Sequence, residues 1–125
     1  EVTIHCQIDY LDVSSYNGTS STGVVVLHKD FRTDVTGRDV IIIDDILDSG
    51  STLINALNDI ENARRVDICV CYALFNKGLK EFNRVYKDNL FNKIYVSDLI
   101  YLNDKVRKSK YVEVLDTSKL VSEVI

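Results

Sequence analysis

Val40-Ile41-Ile42-Ile43-Asp44-Asp45-Ile46-Leu47-Asp48-Ser49-Gly50-Ser51-Thr52-Leu53 opens on β-branched residues, passes through acids and closes on small and hydroxyl residues. Asp39 to Asp44 reads as a short central strand of a parallel sheet, covered on both faces, because such strands are apolar without alternation. Thr52 to Ala63 then sets Leu53, Leu57 and Ile60 at helical spacing, so one apolar stripe faces the sheet. Val66 to Leu74 is the next buried strand. Strand, small-residue loop, helix and strand in that order form a crossover between parallel strands, which is expected to be right-handed.

Working outward, Leu79, Phe82, Tyr86 and Leu90 mark a second helix, and Lys93 to Ser97 and Tyr111 to Leu115 are two more short strands. Ser118 to Ile125 closes the chain as a helix with Leu120, Val121 and Val124 on one face. On the other side, Val2 to Val13 reads mostly as a strand, although Cys6 and Gln7 blur its alternation. Ser14 to Gly23 (SSYNGTSSTG) is a loop rich in turn-forming residues. Val24 to His28 is a further strand, and Asp34 to Arg38, with Gly37, a turn. Strands alternating with helices argue for an α/β layered domain with a mostly parallel sheet flanked by helices, spanning residues 1–125 as one unit.

The chain has 125 residues, of which 46% are hydrophobic and 27% charged, the profile of one globular domain. Lys and Arg number 15 against 19 Asp and Glu, a net charge of -4, which argues against a protein held mainly by nucleic-acid phosphates while leaving room for a local basic patch. No apolar run approaches the roughly 18 residues of a membrane span, and no signal pattern opens the chain, so a cytoplasmic location is expected. Cys6, Cys69 and Cys71 show no metal or redox spacing and are expected to be reduced and buried. The absence of Met, Pro and Trp and the start at Glu1 fit a processed chain, an excised part or a constructed sequence.

Ligands of open parallel sheets sit beyond the carboxyl ends of the strands, where Asp44 to Thr52 falls. Ser49, Gly50, Ser51 and Thr52 offer hydroxyls and backbone N–H groups at the positive end of a helix, which suits a phosphate. Asp44 and Asp45 at the strand tip suit donors such as vicinal sugar hydroxyls, or a hard divalent cation. Together they describe a sugar phosphate. The stretch has neither the Gly-x4-Gly-Lys-Ser/Thr nor the GxGxxG pattern. The plainer alternative is helix capping by Asp, Ser and Thr.

The whole stretch closely resembles the phosphoribosyl-diphosphate signature of type I phosphoribosyltransferases, Rossmann-like α/β proteins, which is shared with ribose-phosphate pyrophosphokinase. Asp9-Tyr10-Leu11-Asp12-Val13-Ser14-Ser15-Tyr16, Leu27 to Asp30 and Gly37-Arg38-Asp39-Val40 resemble hypoxanthine-guanine phosphoribosyltransferase. From Leu74-Phe75 through Gly78-Leu79, Leu99-Ile100-Tyr101 and Ser118-Lys119, the chain is similar to the C-terminal domain of ribose-phosphate pyrophosphokinase. The resemblance implies that Asp48 is the catalytic acid/base near the purine ring. It implies that Asp44 and Asp45 contact ribose and, indirectly, Mg²⁺, and that Asp48, Ser49, Gly50, Ser51 and Thr52 hold phosphate. Ser14, Ser15 and Tyr16 would form a lid.

The implied activity is transfer of the phosphoribosyl group from phosphoribosyl diphosphate to a 6-oxopurine in purine salvage. The alternatives are a ribose 5-phosphate-binding domain of a pyrophosphokinase and a catalytically silent ribose-phosphate-binding domain. A purine base and a homo-oligomeric assembly are compatible partners; nucleic acid and membrane are not expected. Both relatives carry N-terminal elements with no counterpart before Glu1, so a fragment, a chimera or a minimal domain is expected. His5 and His28 are expected to be structural or exposed, and Lys77 solvated. Tyr72, Phe75, Phe82, Tyr86 and Phe91 are expected to pack the core.

Overall fold

The β-branched run forms β1 (Asp39–Leu47), and the helix-spaced residues after it form α1 (Ser51–Asp59). A computed structural model describes residues 4–10 and 33–125. After α1 the chain continues through β2 (Arg65–Ala73), α2 (Lys80–Lys87), β3 (Lys93–Ser97), α3 (Asp104–Arg107), β4 (Val112–Leu115) and α4 (Ser118–Val124). The strands lie in the order β1-β2-β3-β4 and every neighbouring pair is parallel. Each parallel pair needs a crossover, and α1, α2 and α3 each lie within one. The expected α/β fold with a parallel sheet flanked by helices is the observed one.

Alternation along the strands places the core. Val66, Ile68 and Val70 of β2, Ile94 and Val96 of β3 and Val112 of β4 are buried, as are Leu53, Ala56 and Leu57 of α1 and Phe82 and Val85 of α2. Each large side chain of this set contributes about 1.5–3 kcal/mol by leaving water. An aromatic cluster closes the amino-terminal side of β3: the Tyr86, Phe91 and Tyr111 rings lie 4.9 to 5.5 Å apart. The Tyr111 hydroxyl donates to Asn83 Oδ1 at 2.8 Å.

The other sheet face corrects one expectation. β1 is the terminal strand of the sheet among the described residues, and Ile41 and Ile43 are 61% and 80% exposed. An apolar β-branched run favours the extended ladder on either face; it does not say that both faces are covered. Cys71 on the same open face is exposed, Cys69 is half-buried and Cys6 is exposed, so the three free cysteines are not the buried residues expected. Tyr72 is also exposed, whereas Phe75, Phe82 and Phe91 are buried as expected.

Element boundaries differ where local backbone chemistry outweighs periodicity. α1 stops before Ile60, whose ψ of 108° is extended. The expected turn is present: Arg38 N–H donates to the Val35 carbonyl at 3.0 Å, and Gly37 takes φ +70°. α4 forms, but its apolar residues Leu120, Val121 and Val124 are exposed, because nothing among the described residues packs on that stripe. α3 was not expected from periodicity; the Asn103 side chain starts it by accepting from Val106 N–H.

Chain contacts separate two units, Glu1–Asp34 and Val35–Ile125. In the first, residues 4–10 form no strand, against the expectation for Val2 to Val13. Ile4, Ile8 and Tyr10 are exposed, so the alternation there does not bury its apolar side chains. Side chains supply its bonding instead: Thr33 Oγ1 donates to Asp9 Oδ2 at 3.0 Å, and Gln7 Nε2 donates to Thr33 Oγ1 at 3.2 Å. The Ser14 to Gly23 loop, with Ser14, Ser15 and Tyr16, and the Val24 to His28 strand lie outside the described residues.

Candidate active site at the carboxyl end of β1

β1 ends at Leu47, whose carbonyl accepts from Leu74 N–H at 2.8 Å. This bond carries the β1–β2 ladder to the edge of the sheet, where Asp48 to Gly50 turn outward. Gly50 makes the turn at φ +80°, a left-handed conformation that side chains resist. The Phe82 ring of α2 lies where a Cβ on Gly50 would stand. Small size and positive φ are both required there, so glycine serves the local geometry twice.

Gly50 is also the N-cap of α1, with no side-chain cap and no acid in the first turn. The first bond of the helix runs from Ile54 N–H to the Gly50 carbonyl at 2.9 Å. The N–H groups of Thr52 and Leu53 precede that bond and have no intrahelical acceptor. The exposed hydroxyls of Ser49 and Ser51 lie 3.0 Å apart beside them. Unfilled donors and hydroxyls at the positive end of a helix dipole can hold an anion.

The three carboxylates differ in surroundings. Asp44 shares the half-buried side of β1 with Val40 and Ile42; burial, and then the neighbouring Asp45, pushes its carboxyl above the usual range. Its Oδ1 accepts from Asp45 N–H at 2.9 Å. Asp45 is exposed and its Oδ1 accepts from Ile46 N–H at 2.8 Å. Asp48 is held from the turn after β2: Asn76 Nδ2 donates to Asp48 Oδ1, and Asn76 N–H donates to the Asp48 carbonyl at 2.9 Å. Asp48 is thus tied across the sheet end and Gly50 is the N-cap, while the Ser49 hydroxyl accepts from Ser51 N–H at 3.5 Å.

The structure therefore brings Asp44, Asp45, Asp48, Ser49, Gly50, Ser51 and Thr52 to one sheet edge. Asn76 and Phe82 are the residues that sequence reasoning missed at this place. Asn76 carries only a positional signal, in the turn that follows β2. Phe82 reads as core from its spacing, which it is, but its spacing does not reveal its place under Gly50. Lys77 is exposed, as expected.

Residues 3–101 match the model of the phosphoribosyl transferase domain. The chain belongs to this family. This phosphoribosyl transferase domain is 37% identical over 118 residues to a hypoxanthine-guanine phosphoribosyltransferase of Streptococcus agalactiae, covering 78% of the chain and 66% of the relative. It is 35% identical over 119 residues to the enzyme of that name from Streptococcus pyogenes, covering 91% of the chain and 66% of the relative. A shorter match, 40% over 63 residues, spans 50% of the chain and 34% of a hypoxanthine-guanine-xanthine phosphoribosyltransferase of Tritrichomonas foetus. The chain thus spans just under two thirds of the streptococcal relatives it matches. Among solved structures, phosphoribosylpyrophosphate synthetase from Mycobacterium smegmatis superposes with a TM-score of 0.60 over 75% of this domain and 31% of that chain, at 20% identity, which is a likeness of fold. No helix among the described residues is long and apolar enough to cross a membrane.

Proposed function

We propose that this domain binds phosphoribosyl diphosphate and transfers its phosphoribosyl group to a 6-oxopurine, hypoxanthine or guanine, with release of pyrophosphate, as a cytoplasmic enzyme of purine salvage. The observation that carries the reading is the uncapped start of α1 beside three carboxylates at one strand end. The 5-phosphate sits on the N–H groups of Thr52 and Leu53 and the hydroxyls of Ser49, Ser51 and Thr52. Asp44 and Asp45 accept hydrogen bonds from the ribose hydroxyls. Asp48, steadied by Asn76, exchanges a proton with the purine ring, a role worth about 100- to 10,000-fold in rate for a positioned carboxylate. Ser14, Ser15 and Tyr16 close over the reacting centre as a lid that excludes water. The family likeness to the hypoxanthine-guanine enzymes supports the choice of base.

Mg²⁺ fits the donor set as a partly ligand-held ion. No group of three or more His, Cys, Asp or Glu able to hold a metal is present among the described residues. Mg²⁺ binds through one or two carboxylates together with substrate oxygens and water. Asp44 and Asp45 each keep one carboxylate oxygen outside the backbone bonds described above, and they would hold the ion's waters. The ion would neutralise charge on the diphosphate.

The test is to incubate the chain with phosphoribosyl diphosphate and hypoxanthine or guanine, and separately with ribose 5-phosphate and ATP, each with Mg²⁺. The nucleoside monophosphate is expected from the first mixture, and its yield should fall at least about 100-fold in Asp48→Asn. No product in the first mixture from a chain that binds phosphoribosyl diphosphate would overturn the transferase reading. Product in the second alone would replace it with the pyrophosphokinase reading.

A further inference from the structure

A cleft of about 690 Å³ lies between α2 and α3, lined on one side by Lys80, Arg84 and Lys87 and on the other by Lys105. Phe75 and Val106, both buried, also line it. On α2 the three cations fall at i, i+4 and i+7, one stripe about 10 Å long at 1.5 Å per residue. Arg84 is compensated, by Glu81 at 3.0 Å and Asp88 at 3.7 Å. Lys80, Lys87 and Lys105 form no ion pair with an acid among the described residues.

Lys80, Lys87 and Lys105 thus bring three uncompensated cations to one cleft in a chain of net charge -4, and like charges held near one another repel. A bound polyanion removes the repulsion. Volume and shape restrict which one, because clefts of about 300–1,000 Å³ suit small ligands. The half-buried Leu79 in the cleft lining adds that the ligand has a flat or apolar part besides its charge.

We propose that this cleft is a second ligand site, which binds a nucleoside polyphosphate with its phosphates on Lys80, Lys87 and Lys105 and its base against the half-buried Leu79. The site is separate from the phosphate loop. Phe75 packs edge-on to Phe82 with ring centroids 5.4 Å apart, and Phe82 in turn abuts Gly50. The ring pair is thus a wall common to both places, and an occupied cleft would stiffen the wall on which the loop rests.

Calorimetry on the full chain without Mg²⁺, with ATP and with inorganic triphosphate as separate probes, tests the site. The background is Ser51→Ala/Thr52→Ala, which weakens phosphate binding at the loop and so separates the two sites. Saturable ATP binding is expected to survive there and to weaken at least about tenfold on adding Lys80→Gln/Lys87→Gln/Lys105→Gln, as loss of charge-assisted hydrogen bonds requires. The control Lys108→Gln/Lys110→Gln/Lys119→Gln removes the same charge elsewhere and should leave affinity within about twofold. ATP should bind more tightly than triphosphate. Absent binding in the background variant, an equal loss in the control, or unchanged binding in the cleft variant would overturn the site; triphosphate binding as tightly as ATP would overturn the nucleoside part.

Discussion

Gly50 carries the heaviest constraint of the glycines among the described residues, since its φ of +80° and the Phe82 ring each exclude a side chain. Replacement by Ala should therefore lower stability by about 1–3 kcal/mol through overpacking alone, with a further penalty for the left-handed backbone. Thermal unfolding measures this, and an unchanged Tm would show that the ring yields freely. A larger substitution such as Gly50→Val confounds binding with folding, so the binding role is better read from Ser51 and Thr52. Asp44 presents the opposite case, a residue whose charge opposes the fold. Its carboxyl is raised chiefly by burial, so ionisation costs stability that is absent below the ordinary value of 3.8 and fully present above the folded value. Asp44→Asn should raise Tm by a small margin at pH 7, and the gain should vanish as pH falls toward 3.8. The same variant should weaken Mg²⁺-dependent binding of phosphoribosyl diphosphate. A variant less stable than the parent at pH 7 would show that Asp44 is needed for the fold.

At the scale of elements, the ends decide more than the middles. Asp98, just past β3, accepts from Thr117 N–H at 3.0 Å and from its hydroxyl, tying the start of α4 to the neighbouring strand end. These hydrogen bonds hold the Asp98 carboxyl below the usual range. The tie is therefore fully present above pH 3.8 and is lost as pH falls through the lower folded value. Amide exchange at Thr117 and Ser118 should quicken in Asp98→Ala at neutral pH, and the difference from the parent should close in acid; equal exchange at neutral pH would show that α4 is held otherwise. Such ends also explain what the sequence could and could not reveal. β3 was legible to the residue, and β1, β2, α1 and α2 to within a few, because each carries enough apolar residues to express a period. α3 was not, since four residues complete little more than one turn and its start depends on Asn103. The signature from Asp44 to Thr52 was legible because its chemistry is local in sequence. Asn76 was not, because its bond to Asp48 joins the loop after β1 to the turn after β2, and no local spacing encodes a partner 28 residues away.

Across the unit Val35–Ile125, the sheet packs one face against α1 and α2, and among the described residues Ile41, Ile43 and Cys71 of the other face are exposed. Sequence period cannot foresee this, because the same apolar run serves a covered strand and an open one. The cysteines report the asymmetry directly. Cys69 is half-buried, and burial first, then Asp67 and Cys71, raises its thiol above the usual range; both effects lower the supply of reactive thiolate. Cys71, two residues along the same strand, is exposed. In a Cys6→Ser background, with Cys69→Ser and Cys71→Ser made singly, Cys71 should react with a disulfide reagent at pH 8 roughly tenfold faster than Cys69. Unfolding in denaturant should equalise the two rates, since the difference comes from the folded surroundings. Equal rates in the folded chain, both slow, would mean that the open face is covered in solution, and the exposed isoleucines of β1 would then belong to an interior.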